Sequence, residues 1–364
     1  MSSYRFIQLD VFTGEAFAGN PLAVFPEAEG LSDDEMMKIA REMNLSETVF
    51  VLKPESQQSA ISNQQSANSQ QPAESEPATA EAVQALAGAT ASEGLESAKG
   101  ESQADPPPPV VLRRLRIYTP AREIPFAGHP VVGTWNALAR EGVVPIPESG
   151  NGWTRIHHEL GVGVLPVDIE FQADEPVQVV MTQGKFEITN EVDDGQDQAE
   201  LARALGLARE DLDENLPIQV IATGLPFLAV PVRSLSDLRR CRVNASLLAE
   251  IYLRVGATGC YPFTRETIDI GASRAHARLF APADNIPEDP ATGSAAGALG
   301  AYLVYHGAAN VDAVDGRFQF IIEQGDFMHR PSRINLDVKG EAGAIDEVRV
   351  GGPSVVVARG EVFV

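Results

Sequence analysis

Two six-residue stretches decide how this chain is read: His129-Pro130-Val131-Val132-Gly133-Thr134 and Asp289-Pro290-Ala291-Thr292-Gly293-Ser294. Both run His or Asp, Pro, two variable residues, Gly, then Thr or Ser, and both lead into an apolar helical stretch, Val131–Arg140 and Ser294–Tyr305. A second pair precedes them in the same order: Gly19-Asn20-Pro21-Leu22-Ala23-Val24 and Gly224-Leu225-Pro226-Phe227-Leu228-Ala229-Val230. A repeated order of motifs predicts two similar α/β domains, packed so that equivalent loops face one cleft. The second helix carries Gly293, Gly297 and Gly300 among alanines. Glycine inside a helix costs about 1 kcal/mol against Ala, so close approach of surrounding backbone to a central helix is expected there.

Outward from these motifs, strands and helices alternate. Tyr4 to Phe12 sets Ile7, Leu9 and Val11 against Arg5, Gln8 and Asp10, the period of a half-buried strand. Ser32-Asp33-Asp34-Glu35 is a capping box with Leu31 and Met36 as its hydrophobic staple, and Met36, Ile39, Ala40 and Met43 follow on one helical face. Thr48–Leu52 and Leu112–Tyr118 read as strands that pair across what separates them. That separator, residues 54–109, is Gln, Ser, Asn, Ala, Glu and Pro with no aromatic side chain, ending in four prolines. Such a stretch buries too little apolar surface to offset its ordering entropy and is expected to be a disordered low-complexity insert. The predicted organisation is an N-terminal α/β domain from 1–53 plus 110–143, with the C-terminal strand 354–364 a candidate to complete it, and a C-terminal α/β domain from 144–353.

Length and composition exclude several function classes. The chain has 364 residues, 44% apolar, and a net charge of −23, which repels the phosphates of nucleic acids and anionic membranes. No stretch reaches the roughly 18 apolar residues of a membrane span, and the charged N-terminus lacks the apolar run of a signal peptide. Two cysteines, Cys241 and Cys260, are too few for a disulfide framework or a Cys-rich zinc site. A cytoplasmic protein with two free thiols is expected. No Gly-x-Gly-x-x-Gly follows a strand and no Walker loop occurs, so nucleotide binding lacks support. None of the five lysines lies in the repeated motifs, which weakens a pyridoxal-phosphate reading. His157-His158-Glu159 sits in a predicted strand, where neighbours point to opposite faces, and reads as surface.

Three polar residues stand in apolar or Gly-Pro surroundings. Glu47 opens a strand between Leu45, Val49 and Phe50; a carboxyl so placed is partly desolvated and its pKa rises toward the range a general acid/base needs, whereas a solvated strand end would leave it ordinary. His129 can relay a proton or orient a carboxylate, or simply lead a helix with Pro130 as first helical residue. Asp289-Pro290 is an N-cap signature. The repeat pairs Asp289 with His129 and so favours a place in the cleft for both. The helix end at Gly293 and Ser294 offers free N–H groups to an anion such as a substrate carboxylate.

As a set these residues resemble the PhzF family of phenazine biosynthesis-like isomerases, related in fold to diaminopimelate epimerase. The likeness rests on Asp10-Val11-Phe12-Thr13, Gly19-Asn20-Pro21-Leu22-Ala23-Val24, Asn44-Leu45-Ser46-Glu47-Thr48, Pro125-Phe126-Ala127-Gly128-His129-Pro130 and Asp289-Pro290-Ala291-Thr292-Gly293-Ser294. It covers nearly the whole chain except the insert. The resemblance implies an α+β fold of two similar domains, each a mixed, barrel-like sheet around a central helix, an internal pseudo-duplication. It also implies a homodimer and catalysis without metal or organic cofactor. Glu47 would be the catalytic acid/base, with His129, Asp289, Gly293 and Ser294 binding a small-molecule carboxylate. Diaminopimelate epimerase uses one thiol from each domain, but Cys241 and Cys260 both lie in the second half, so a two-thiol racemase is not expected. The function implied is a cofactor-independent isomerase that shifts a proton within a small unsaturated carboxylate. An epimerase or racemase of a small acid, or a non-catalytic binding protein using the same cleft, are the alternatives.

Overall fold

Nineteen strands and six α-helices make up the described part of the computed structural model, residues 2–55 and 111–364. Residues 56–110, and with them all of the insert 54–109 but its first two residues, lie outside the described residues. The strands are β1 Ser3–Val11, β2 Asn20–Phe25, β3 Glu47–Leu52, β4 Val111–Tyr118, β5 Glu123–Ile124, β6 Gly152–Leu160, β7 Gly163–Gln172, β8 Glu175–Thr182, β9 Glu187–Glu191 and β10 Gln219–Ala222. They continue as β11 Pro226–Pro231, β12 Gly259–Thr264, β13 Ser273–Ala277, β14 Leu279–Ala281, β15 Ile286–Asp289, β16 Arg317–Gln324, β17 Ser332–Glu341, β18 Ala344–Gly352 and β19 Ser354–Phe363. The helices are α1 Asp33–Met43, α2 Gly128–Arg140, α3 Gly195–Leu205, α4 Leu235–Arg240, α5 Ala245–Arg254 and α6 Gly293–Tyr305.

The motif repeat is a repeat of sheet topology. β1–β2 is antiparallel, β2–β3 parallel, β3–β4 antiparallel, β4–β6 parallel, and β6–β7 and β7–β8 antiparallel. The same sequence of pairings recurs in β10–β11, β11–β12, β12–β13, β13–β16, β16–β17 and β17–β18. The two ribbons join where β8 meets β18. Each half then lends its next strand to the other: β9 pairs with β10, and β19 runs antiparallel along the whole of β1. The repeat groups β6–β8 with β1–β5.

Each half wraps a helix. In α2 every residue from Gly128 to Ala139 is buried, against β1, β2, β3, β7, β8 and β19. In α6 every residue from Ala295 to Val304 is buried, against β10, β11, β16, β17 and β18. Burial on all sides, rather than propensity, holds a helix so rich in glycine. What approaches is mainly side chains, not the backbone expected: a Cβ on Gly297 would lie 2.8 Å from a Val350 methyl and 2.9 Å from the Gln183 amide oxygen, and one on Gly300 would strike Leu336. α1 carries the capping box read from sequence, with Ser32 and Glu35 bonded reciprocally and Leu31 and Met36 buried as its staple.

Two local expectations are corrected. α2 starts at Gly128, so Pro130 is its third residue rather than its first; any of the first N–H groups of a helix lacks a partner, so Pro is tolerated there. Asp289 does not cap α6. It ends β15, Thr292 takes the N-cap position, and the Asp289 carboxylate is engaged elsewhere.

Candidate active site

The first half delivers three side chains to the junction of the halves. Asn20 opens β2, Glu47 opens β3 beside it, and His129 lies in the first turn of α2. The second half brings Asp289 at the end of β15 and the N-terminus of α6. The two helix ends abut: a Cβ on Gly128 would lie 3.7 Å from the Ser294 nitrogen.

Asn20, fully buried, ties the halves together. Its Nδ2 donates to Asp289 Oδ1 (3.0 Å) and to the Ala291 carbonyl (2.9 Å), while its Oδ1 accepts from the Ser46 hydroxyl (3.2 Å). Two acceptors on one side and a hydroxyl on the other fix which way the amide faces. The same NH2 lies 3.4 Å from His129 Nδ1. The amide hydrogens are shared among Asp289, Ala291 and this ring, and an NH2 so close to Nδ1 favours the tautomer with Nδ1 bare and the imidazole proton on Nε2. That Nε2 lies 3.3 Å from Glu47 Oε2.

Burial sets the protonation states. It pushes the Glu47 carboxyl up to about 7, against an opposing Ser46 hydrogen bond. It pushes His129 down to about 4 despite the attraction of Asp289, so the ring is neutral at physiological pH. Asp289 rises to about 6 by burial and by the nearby Glu47, with His129, Thr292 and Asn20 pulling the other way. Glu47 Oε2 and His129 Nε2 are buried and have no hydrogen-bond partner among the described residues. Buried polar atoms are rarely left so, and an orphaned pair facing each other marks where a bound group completes the bonding. A carboxyl that titrates near neutrality beside a neutral imidazole donor can take up and return a proton at pH 7.

Of the residues singled out in the sequence, His129 and Asp289 meet on Asn20, and Glu47 lies beside His129. Gly293 and Ser294 lie in the first turn of α6, whose leading N–H groups have no carbonyl in their own helix. Four residues were missed. Thr292 donates its hydroxyl to Asp289 Oδ2 (2.5 Å). Gln324, fully buried on β16, donates to the Asp289 carbonyl (2.8 Å) and the Thr292 hydroxyl (3.1 Å), and accepts from Tyr261 (2.8 Å). Asn20 was in view, inside the repeated Gly-x-Pro stretch; its counterpart Leu225 is the difference that flags it. Gln324 and Tyr261 stand in ordinary strand patterns and carry no such signal.

The His157-His158-Glu159 stretch is not surface. His158 is buried, its Nδ1 accepts from the Trp135 indole (3.0 Å), and it stacks on that ring. Strand alternation sends His158 inward onto α2, and its neighbours stay half-buried. Both cysteines are buried in the apolar cluster between α3–α5 and β10–β12. Burial pushes Cys241 up to about 11 and Cys260 well above its usual value, so both are inert thiols.

The profile of the PhzC-PhzF family, phenazine biosynthesis-like proteins, matches residues 9–62 and 109–360. The chain belongs to that family. Among PhzF relatives it is similar to an uncharacterised isomerase of Clostridium acetobutylicum, 33% identical over 98% of this chain and 97% of that one. It is 29% identical to the trans-2,3-dihydro-3-hydroxyanthranilate isomerase of Pseudomonas chlororaphis, over 99% of each. Among solved structures, the PhzF-family protein of Bacillus anthracis superposes with a TM-score of 0.75 at 25% identity, covering all of both chains. This PhzF-family chain is an isomerase with the diaminopimelate epimerase-like fold expected of it. No helix among the described residues is long and apolar enough to cross a membrane.

Proposed function

We propose that this PhzF-family isomerase shifts a proton within a small unsaturated carboxylate, with Glu47 as its sole acid/base and no cofactor. One observation carries the reading: the Glu47 carboxyl, pushed up to about 7, places its buried Oε2 3.3 Å from Nε2 of the neutral His129 ring, and neither atom has a hydrogen-bond partner among the described residues. Glu47 as carboxylate takes a proton from an allylic carbon; the C–H electron pair becomes the new double bond, and the pair of the old double bond forms the C–H bond at the far end. The protonated Glu47 returns the proton at the far end, so nothing is oxidised or reduced. His129 holds a polar substituent and Glu47 in line, and Asp289 secures a second substituent. The N–H groups of Gly293 and Ser294, at the positive end of α6, hold the carboxylate and spread the charge that builds up.

The lobes we assign to this cleft are 1–53 with 110–182 and 354–364, and 183–353. On this reading the protein acts in the cytoplasm as a homodimer.

The test is turnover in deuterium oxide, with trans-2,3-dihydro-3-hydroxyanthranilate as first probe. Deuterium should arrive at the carbon that gains a proton, and Glu47→Gln should lower turnover roughly 10²–10⁴-fold while sparing affinity. Deuterium at one stereocentre with the double bond unmoved would make the protein an epimerase. Wild-type turnover by Glu47→Gln, or binding with no exchange in either form, overturns the proposal.

A further inference from the structure

The two halves differ in length at two turns, and those turns meet. In the first half eight residues, 12–19, join β1 to β2; their counterpart between β10 and β11 has three, 223–225. In the second half seven residues, 325–331, join β16 to β17; their counterpart between β6 and β7 has two, 161–162. Each added stretch finds its partner in the other. Arg330 reaches across from the second half. Its Nε donates to the Gly19 carbonyl (2.8 Å), and its Nη2 donates to the Ala18 carbonyl (2.7 Å) and to Asp10 Oδ1 (2.6 Å).

The other oxygen of Asp10, a buried carboxylate, accepts from the Phe17 N–H (2.6 Å), and the Gly19 N–H donates to the Pro331 carbonyl (3.1 Å). These bonds hold a path the chain would not take unaided. Phe12 and Phe17 have positive φ, 63° and 68°, which bulky side chains rarely adopt. The residue this path delivers, immediately after Gly19, is Asn20. The same turn also grips the other side of the site: the Ser332 hydroxyl donates to the Pro290 carbonyl (2.9 Å), and Gln324 precedes the turn with its amide on Asp289.

We propose that Arg330 is a positioning residue for the acid/base site: from the second half its guanidinium, with Asp10, locks the loop of the first half that carries Asn20 between His129 and Asp289. Arg330 touches no reacting group in this account. It acts by keeping the Asn20 NH2 against His129 Nδ1, which leaves the imidazole proton on Nε2, facing Glu47. Three acceptors divided between Nε and Nη2 suit a guanidinium fork and not an ammonium point charge. The inference rests on the proposed role of Glu47, but its test does not use turnover.

The test compares wild type, Arg330→Met and Arg330→Lys with ¹⁵N-labelled histidine and asparagine. In the wild type the His129 ring should show one protonated nitrogen, Nε2, and one bare nitrogen, Nδ1, and the Asn20 side-chain amide should exchange slowly with deuterium oxide. In Arg330→Met the two ring signals should move toward a common average and Asn20 exchange should rise at least tenfold, while the ring signals of His158, held by the Trp135 indole, stay as in the wild type. Arg330→Lys should restore less than half of the change. A variant that melts earlier but keeps the His129 tautomer and the slow Asn20 amide makes Arg330 merely structural and overturns the proposal, as does full rescue by lysine. A wild-type tautomer lost in Arg330→Met, together with an active Glu47→Gln, would keep Arg330 in this role and remove Glu47 from its own.

Discussion

Leu22 lies beside Glu47 in the parallel β2–β3 pair, and Phe227 lies beside Gly259 in the parallel β11–β12 pair, each just after a proline. By register, Gly259 is the twin of Glu47. A Cβ there would meet the Phe280 carbonyl oxygen at 3.3 Å, the Ala281 methyl at 3.4 Å and the Phe227 ring at 3.5 Å, so no long side chain fits. The halves share a scaffold and divide the chemistry. The first supplies Glu47, the imidazole and Asn20; the second supplies Asp289, its Thr292 and Gln324 supports, and a helix end. A racemase that works from two faces needs a proton carrier on each. Under the proposed function Glu47, 3.3 Å from His129 Nε2, is that carrier, and it moves a proton along one face of a substrate.

Making the first half copy the second is the strongest way to break this comparison. Asn20→Leu installs the residue found at 225 and strips partners from Asp289, the Ala291 carbonyl and Ser46. Buried polar groups left unpaired cost about 1–3 kcal/mol each, and misplacement of the reacting groups costs about 10²-fold in rate. We expect kcat to fall by about that factor and denaturant unfolding to show a loss of a few kcal/mol. Unchanged kcat would mean the halves are not coupled through Asn20.

The next effect is on pH. With the Glu47 carboxyl at about 7, kcat/KM should fall tenfold per pH unit below about 7, because only the carboxylate accepts a proton. A limb near 4.5 would place Glu47 in water. Stability gives the same test without a substrate. The folded pKa is raised above the unfolded value, so folding favours the protonated form; the contribution is fully present below about 4.5 and is lost as pH rises through 7. Glu47→Gln removes this dependence. Its stability relative to wild type should improve between pH 4 and pH 8 by on the order of 3 kcal/mol, read from denaturant midpoints.

The motif repeat was legible because both helices begin at a cleft that needs glycine and small polar residues, and because strands paired in the same order demand the same spacing. Glu47 stood out because a carboxyl beside Leu45, Val49 and Phe50 opposes the apolar pattern around it. What the sequence did not show is where backbone and side chain part company. His129 and Asp289 match in sequence, yet one sits in a helix and the other ends a strand, since the Asp289 carboxylate is held by Asn20 and Thr292 instead of capping α6. Gln324 and Tyr261 reach the site only through pairing of distant strands, which no local period reports. His158 misled for a related reason: its burial is decided by α2 lying over that face of β6, not by its own strand.

The smallest effect sharpens the comparison most. Gly259→Ala adds one methyl at the twin of the acid/base. Relief of glycine's unfolded-state freedom contributes about 0.4–1 kcal/mol, and crowding of the Phe280 carbonyl at 3.3 Å opposes it. The net change in stability should stay under about 1 kcal/mol, and kcat should stay within twofold of wild type. If the second half held a hidden proton carrier near this position, the added methyl would displace it and kcat would drop tenfold or more. Stability loss with unaltered kcat would instead show a packing position with no part in the reaction, which is what a one-sided site requires of its twin.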